Sequence, residues 1–225
     1  MKKIFFLSFF LTVFLVSAQT TITKKLGDFS KIKVYNGIDV ELVKSTESKV
    51  IITGKKAEKV IIKTKNNTLK ISLKLPETTA DGNVKITLYY ASILKIIDGN
   101  EGAIITGKDI KQPEIEIKGQ EGAFINLVLN VKYLKVKSSS GAVIKLTGST
   151  KNQNIDANLG GIYHGFKLNV SDLNHVRAGS GSKVEVQSGN TLDAKASLGG
   201  VIYYKGNPEV VKDKKVIGGV IEHRS

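Results

Sequence analysis

The sequence contains no cysteine. This absence excludes a disulfide framework, a thiolate metal site, a cysteine nucleophile and a lipid attached to cysteine. The Gly-x-Ser-x-Gly pattern of serine hydrolases is also missing, as are the Gly-Gly-x-Gly-x-Asp repeats that bind calcium in every turn of some β-helices. We therefore predict a protein that is not an enzyme and that needs no cofactor.

Arginine is rare, although the chain is strongly basic. The formal net charge is +14, but Arg177 and Arg224 are the two arginines and the other basic residues are lysines. Nucleic-acid sites favour the arginine fork, often with interleaved aromatic residues, so we predict no nucleic-acid partner. The lysines alternate with apolar residues, as in 31–34 and 132–137, which indicates solvated strand faces. Attraction to anionic glycans or to an anionic membrane surface is the alternative interpretation.

One long apolar run is present, and it lies near the N-terminus. Lys2 and Lys3 precede the run from Ile4 to Val16, and small residues follow at 17–18. This arrangement is typical of a secretory signal peptide, whereas a membrane-spanning helix needs about 20 apolar residues. We predict a signal peptide at 1–18, and a mature chain of net charge +12 once these two lysines are lost. We expect an exported protein in the periplasm, at the outer membrane or outside the cell, with no transmembrane segment in the mature chain.

Glycines recur at a nearly fixed interval in the second half of the chain. Their separations are 19 or 20 residues, and a short β-prone run follows each one. Such a period predicts a solenoid, in which each coil buries its apolar face against its neighbours. The seven glycines are Gly102, Gly122, Gly141, Gly161, Gly181, Gly200 and Gly219.

Apolar residues alternate along the strands that flank these glycines. Because successive side chains of a strand point to opposite faces, the alternating residues predict one buried face per strand. The inward pairs before the glycines are Ile115 and Ile117, Leu134 and Val136, Ile155 and Ala157, and Leu192 and Ala194. We predict an all-β, right-handed parallel β-helix-like solenoid with regular coils at 93–225. Residues 19–92 have strands of irregular period and are predicted to form a strand-rich N-terminal cap, as a meander or as imperfect coils.

Three segments resemble one known family. They are Phe29 to Leu42, which contains Asn-Gly-Ile-Asp-Val, the repeated Ser/Glu-Gly-Ala corners, and Gly199 to Pro208. Together they resemble the GIN-domain family, exported bacterial proteins described as auto-transporter adhesin heads. The resemblance covers about Gly27 to His223. It implies a right-handed parallel β-helix-like fold outside the cytoplasm and an adhesin-like role.

Equivalent positions of successive coils are expected to stack into ladders. Counting two residues after each glycine predicts an outward apolar ladder, and two tyrosines lie farther along. Such ladders on a rigid sheet can stack on sugar rings or cover another apolar surface. We predict that this face binds a glycan, an envelope component or a protein; packing against the N-terminal segment is the alternative. The predicted binding residues are Ile104, Phe124, Val143, Tyr163, Tyr203 and Tyr204.

Two other functional hypotheses stay open. A polysaccharide lyase or hydrolase would use carboxylates and a base, but the candidates fall at different phases of the coil, so we predict that no single face gathers them. These candidates are Asp156, Asp172, Asp193, His175 and Arg177. A self-assembling envelope protein would instead use the truncated last coil, residues 211–225, whose open edge a second copy could cover.

Acidic residues at stacked corners could form a calcium-binding site. Glu101 and Glu121 precede glycines in successive coils, with Asp98 nearby, so they are weak candidate ligands. Solvated corners screened by lysines are the favoured interpretation. His164 sits where Ile105 sits in an earlier coil, which predicts an inward, hydrogen-bonded histidine.

Overall fold

Nineteen strands and one short 3-10 helix form residues 20–225, the part of the chain that the computed structural model describes. The predicted signal peptide at 1–18 lies outside the described residues. Across 20–225, no helix has the length and apolar character needed to cross a membrane. The elements are β1 (Thr21–Lys25), β2 (Lys31–Val34), β3 (Asp39–Lys44), β4 (Lys49–Thr53), the 3-10 helix (Ala57–Lys59), β5 (Val60–Lys65), β6 (Thr68–Leu73), β7 (Lys85–Tyr90), β8 (Ile96–Gly99), β9 (Ile104–Gly119), β10 (Phe124–Ser138), β11 (Val143–Ala157), β12 (Ile162–Gly165), β13 (Leu168–Val170), β14 (Leu173–Ala178), β15 (Lys183–Gln187), β16 (Thr191–Ser197), β17 (Val201–Lys205), β18 (Val210–Val216) and β19 (Val220–His223).

Each coil contributes one strand to a front sheet and one to a back sheet. The front sheet contains the strands that follow a corner turn, in the order β1–β4–β7–β3–β9–β10–β11–β12–β15–β17–β19. The back sheet contains the strands that precede it, in the order β5–β6–β2–β8–β9–β10–β11–β14–β16–β18. The long strands β9, β10 and β11 bend and belong to both sheets, and β13 pairs with β11 at the bend. The result is a parallel β-solenoid of about seven turns of roughly 19 residues, which confirms the predicted fold.

The N-terminal coil is inserted into the stack out of sequence order. β2 pairs in parallel with both β6 and β8, and β3 pairs in parallel with both β7 and β9. The chain therefore places its first coil between two coils that it forms later. The outer strands β1, β4 and β5 pair antiparallel and finish this end of the stack. Their exposed lysines, such as Lys24, Lys25 and Lys63, discourage pairing with another sheet edge.

The core lies between the two sheets and runs the length of the stack. On the front sheet the inward ladder is Ile105, Ile125, Ile144, Tyr163, Val184, Ile202 and Ile221. All eight residues of the predicted inward pairs on the back strands are buried. Alternation along most strands thus separates the apolar core from a mainly polar exterior.

Each corner turn joins the back sheet to the front sheet through two residues with positive φ, of which the second is glycine. This is the type I′ geometry that glycine favours. The pairs in the regular coils are Glu101–Gly102, Glu121–Gly122, Ser140–Gly141, Leu159–Gly160, Ser180–Gly181, Leu198–Gly199 and Ile217–Gly218. The predicted corner glycines Gly161, Gly200 and Gly219 are therefore wrong by one residue. They follow the corner, where a Cβ would lie 2.2 to 2.3 Å from a backbone oxygen of the preceding coil.

Because the corner lies one residue earlier than predicted, Tyr163 and His164 lie on the faces of β12 opposite to those predicted. Tyr163 aligns with Ile144, points inward and is 0% exposed. His164 aligns with Lys145 and points outward. The predictions of an outward Tyr163 and an inward His164 are wrong, because a shift of one residue exchanges the two faces of a strand.

Charged residues occupy inward positions at the C-terminal end of the stack. On β18, Asp213 aligns with the buried Ala194 and Lys215 with the buried Ala196, but both charged residues are exposed because no further back-sheet strand covers them. Inward-pointing charges at a sheet edge oppose the addition of another strand. These charges therefore oppose end-to-end stacking of copies through β18.

Removing these two charges is expected to permit such stacking. We predict that the wild-type chain is monomeric in light scattering, whereas Asp213→Val with Lys215→Val associates as its concentration rises. Glu41→Val with Lys70→Val is the matched control: it also removes one exposed acidic and one exposed basic residue, but from strands β3 and β6, which are paired on both sides and offer no free edge. A double Asp213/Lys215 variant that stays monomeric would contradict the role assigned to these charges.

Candidate functional site

The predicted outward ladder lies on the front sheet, with a different fourth member. Ile104, Phe124 and Val143 stack on neighbouring strands, and Ile162 rather than Tyr163 follows them. Ile104 and Phe124 are 38% and 37% exposed. This apolar row is therefore accessible to another molecule.

The two tyrosines farther along do not belong to that row. Tyr203 lies outward on β17, where the Arg224 guanidinium is 4.1 Å from the centre of its ring. Tyr204 packs against the edge of the core and against the His223 ring, with the ring centroids 4.9 Å apart. Because neighbouring residues of a strand face opposite sides, Tyr203 shares the outer face of the front sheet with the ladder, two residues along β17 from Val201, whereas Tyr204 does not.

A groove of about 700 Å³ crosses the outer surface of the back sheet. It begins at β9, crosses β10, β11 and β14, and reaches β16. Two exposed side chains provide its apolar surface, Tyr133 at 48% and Leu173 at 39%. They lie on either side of Asn152 in one outward row, and the Asn152 side-chain oxygen accepts a hydrogen bond from the Leu173 backbone N–H at 3.2 Å.

A second outward row forms the polar side of the groove. Its successive members are Glu116, Lys135, Asn154, His175 and Asp193. This row lies two residues along each strand from the row of Tyr133 and Leu173, so polar and apolar side chains run in parallel across the stack. Alternation with the inward Leu134 and Val136 already places Tyr133 outward, but the groove depends on the bend of the long strands.

The β9 end of the groove carries excess positive charge. Glu116 is largely covered, and the ammonium groups of Lys118, Lys135 and Lys137 lie 3.4, 3.6 and 3.6 Å from its carboxylate oxygens. Lys95 also lines this end. Glu114 lines it as well, so two carboxylates face four ammonium groups, and the excess of positive charge favours an anionic group of a ligand.

The other end of the groove contains a histidine and a carboxylate. The His175 Nδ1 atom lies 3.3 Å from an Asp193 oxygen. Asp156 and Arg177 are aligned on the same outer surface, whereas Asp172 lies at the bend, 3.7 Å from the Lys151 ammonium. The prediction that no single face gathers the acid and base candidates is therefore wrong for four of the five, because the back sheet presents Asp156, His175, Arg177 and Asp193 together.

This gathering does not create the carboxylate pair of a glycosidase. Glu116 and Asp193 are four coils apart, about 19 Å at the usual strand spacing, whereas such pairs are separated by about 5 to 10 Å. Glu114 lies closer to Glu116, two residues away on β9, but the ammonium groups of Lys118, Lys135 and Lys137 lie within 4 Å of the Glu116 carboxylate and occupy the space around it. Glu116 and Asp193 therefore lack the separation of a glycosidase pair.

The weak calcium candidates do not converge. The carboxylate of Glu101 accepts a hydrogen bond of 2.8 Å from the Asn36 amide at the neighbouring corner. Asp98 is buried on the back sheet and pairs with Lys33 at 3.3 Å. Within residues 20–225, no three histidine or acidic side chains come together as a metal cluster.

A buried polar network lies beneath the groove. The Tyr163 hydroxyl donates to the Gln153 side-chain oxygen at 3.1 Å, and Gln153 donates to Asn174. Asn174 donates in turn to the Gln187 backbone oxygen at 3.2 Å. Complete burial raises the pKa of the Tyr163 hydroxyl far above its ordinary value, so it remains a neutral donor. This network was not predicted, because the predicted outward orientation of Tyr163 would place its hydroxyl in solvent.

His164 belongs to an ion-pair cluster on the front sheet. Glu185 lies 2.7 Å from His164 Nδ1 and 2.7 Å from the Lys183 ammonium. Partial burial raises the pKa of the Glu185 carboxyl, but hydrogen bonds from His164 and Lys183 outweigh burial and hold that pKa below its ordinary value. The cluster therefore keeps a charged carboxylate beside the apolar row.

Sequence and structure comparisons agree with this architecture. The profile of the family described as "Putative auto-transporter adhesin, head GIN domain" matches residues 28–208. The chain belongs to the GIN-domain family. No curated protein sequence matches this GIN domain. The family description is that of an adhesin-like module, which is typical of surface or exported proteins.

Several solved structures share the fold of this GIN domain. A putative adhesin from Bacteroides fragilis superposes with a TM-score of 0.82 at 19% identity, over 92% of this chain and 98% of that one. A putative lipid binding protein from Parabacteroides distasonis gives 0.69 at 17% identity, over 93% and 98%. A putative adhesin from Parabacteroides merdae gives 0.64 at 18% identity, over the same shares. At these identities the similarity establishes the fold alone.

Proposed function

We propose that this GIN domain is an exported, adhesin-like module that binds a glycan chain in the back-sheet groove without cleaving it. The observation that carries the proposal is the pair of parallel rows across the groove. One row presents the exposed Tyr133 and Leu173, and the other presents charged and amide side chains. The adhesin descriptions of the family and of its structural relatives support a binding role.

The chemistry of the two rows suits a sugar chain. A sugar ring has an apolar face, which stacks on aromatic and aliphatic side chains, and a hydroxyl edge, which needs hydrogen-bond partners. Tyr133 and Leu173 offer the first contact, and Asn154 offers the second. A volume of about 700 Å³ is within the usual range for ligand sites.

The charge at the β9 end favours an acidic glycan. Lys118, Lys135 and Lys137 surround the carboxylate of Glu116. Together with Lys95 they outnumber the two carboxylates of this end, which therefore attracts a carboxylate or sulfate on the ligand. A bound acidic sugar would compete for these ammonium groups, which makes part of its affinity dependent on salt.

Removing the Tyr133 ring is expected to weaken glycan binding. On a glycan array, Tyr133→Ala should lower the affinity for the preferred acidic glycan by at least about fivefold, because covering an aromatic side chain with a ligand is worth about 1 to 3 kcal/mol. The array is read at low and at physiological salt, and the loss of affinity on removing the Tyr133 ring should be seen at both salt concentrations.

Tyr203→Ala is the matched control, since it removes an outward tyrosine from the front sheet. It should leave glycan binding unchanged. Equal losses in the two variants, or binding at low salt alone, would reduce the interaction to nonspecific attraction by lysines and would contradict the proposal.

A further inference from the structure

An apolar ridge runs along the edge where the two sheets meet at the corner turns. Its tips are the exposed corner residues Leu159, Leu198 and Ile217, at 61%, 55% and 72% exposure. Backbone hydrogen bonds stack these corners: the Gly181 N–H donates to the Leu198 oxygen, and the Gly199 N–H donates to the Ile217 oxygen. The corners therefore stack into one edge in the C-terminal half of the molecule. The apolar residues Leu159, Leu198 and Ile217 lie along this edge, with the polar Ser180 between the first two.

These apolar tips occupy an unfavourable backbone position. Their φ angles are 48°, 51° and 42°, in the left-handed region that leucine and especially the β-branched isoleucine adopt at a cost. The corresponding corners of earlier coils carry the polar residues Glu101, Glu121 and Ser140. Polar residues therefore fit the same turn, so the turn itself does not require an apolar side chain.

The front-sheet side of the edge broadens the ridge. Three residues after each corner lies the outward row that contains Ile104 and Phe124 and continues to Val220. Six strand spacings separate Ile104 from Val220, about 29 Å. The full ridge consists of Ile104, Phe124, Val143, Ile162, Val201 and Val220, with the tips Leu159, Leu198 and Ile217.

The back-sheet side of the edge is basic. Three residues before each C-terminal corner lies a row in which Arg177, Lys195 and Lys214 align and are all exposed. Asp156 precedes them in the same row. Lys183 interrupts the apolar row on the front sheet, where it pairs with Glu185. The ridge is thus bordered by cationic side chains along its most apolar part.

We propose that this ridge docks the protein on the surface of an anionic lipid bilayer. Exposed apolar tips on a solenoid edge can enter the headgroup region, while the basic row contacts acidic headgroups. The net charge of +12 expected for the mature chain favours the same surface. A second copy of this chain is a poorer occupant, because two-fold pairing of the edges would bring the basic rows together. The ridge is separate from the groove, so the proposal does not rest on glycan binding.

Vesicle flotation of the purified protein tests the proposal. We expect binding to vesicles of phosphatidylcholine mixed with phosphatidylglycerol, and weak binding to phosphatidylcholine alone. The triple variant Leu159→Asn, Leu198→Asn and Ile217→Asn should lower the affinity at least about tenfold. Asparagine tolerates the left-handed corner, so this variant is expected to fold.

Lysine variants separate the contribution of the basic row to vesicle binding from that of the apolar tips. Lys195→Gln with Lys214→Gln should weaken binding to the anionic vesicles by about fivefold per lysine. Tyr133→Ala should bind vesicles as the wild type does, which distinguishes a failure of the groove from a failure of the ridge. Unchanged vesicle binding in the asparagine variant, no binding by the wild type, or loss of self-association instead of vesicle binding would each overturn the proposal.

Discussion

Gly148→Ala is expected to lower the free energy of unfolding by about 3 to 5 kcal/mol. Gly148 lies at the bend of β11 with a φ of 110°, outside the range that residues with a side chain adopt comfortably. A Cβ at this position would lie 2.0 Å from the Leu129 backbone oxygen of the preceding coil. Since that oxygen belongs to the ladder, relief of the clash requires the two coils to separate. Chemical denaturation followed by circular dichroism measures the effect.

Gly141→Ala is the control that separates steric clash from backbone strain. Gly141 also has positive φ, at 73°, but nothing lies within 4 Å of the position of its Cβ. It should cost about 1 kcal/mol, the usual penalty for alanine in the left-handed region. Equal costs in the two variants would mean that the bend can relax and that the close approach of the coils is not required.

Changes at Tyr163 are expected to have the second large effect. Tyr163→Ala removes a fully buried ring from the inward ladder and should cost about 3 to 5 kcal/mol. Tyr163→Phe keeps the ring but leaves the Gln153 oxygen without its donor, at a cost of about 1 to 3 kcal/mol. Tyr203→Phe, at an outward tyrosine, is the matched control and should be neutral. A neutral Tyr163→Phe would show that the hydroxyl is not part of a required network.

The burial of Tyr163 also predicts that the free energy of unfolding depends on pH. Burial raises the pKa of Tyr163 in the folded protein above its ordinary value of 10.0, so above that pH the folded state retains a proton that the unfolded state has lost. This contribution to stability is complete below pH 10 and declines at higher pH, by about 1.4 kcal/mol per pH unit. The free-energy difference between wild type and Tyr163→Phe should therefore shrink above pH 10. A difference that stays constant there would indicate that the hydroxyl is accessible to water.

The glycine period was sufficient to predict the solenoid, but not the register of every coil. Where glycines are paired, as at Gly160–Gly161 and Gly199–Gly200, sequence alone does not show which of the two adopts positive φ. A separation of 20 residues favoured Gly161, whereas the hydrogen-bond ladder selects Gly160. That single residue decides whether Tyr163 faces the core or the solvent.

The groove and the inserted N-terminal coil could not be predicted from local patterns. Alternation identifies β2 and β3 as strands but does not determine their neighbours, and parallel pairing with both earlier and later coils depends on long-range packing. Likewise, outward positions for Tyr133 and Leu173 follow from alternation. Their placement in a concave surface follows from the bend of β9, β10 and β11, which no short motif encodes.

Amide chemical-shift mapping with the glycan selected on the array tests the central claim most directly. If the back-sheet groove is the binding site of this GIN domain, the shifts concentrate at Tyr133, Asn154 and His175, and Tyr133→Ala reduces them at the same glycan concentration. Shifts that concentrate at Ile104 and Phe124 on the front sheet would contradict the account, because they would assign ligand binding to the apolar row instead.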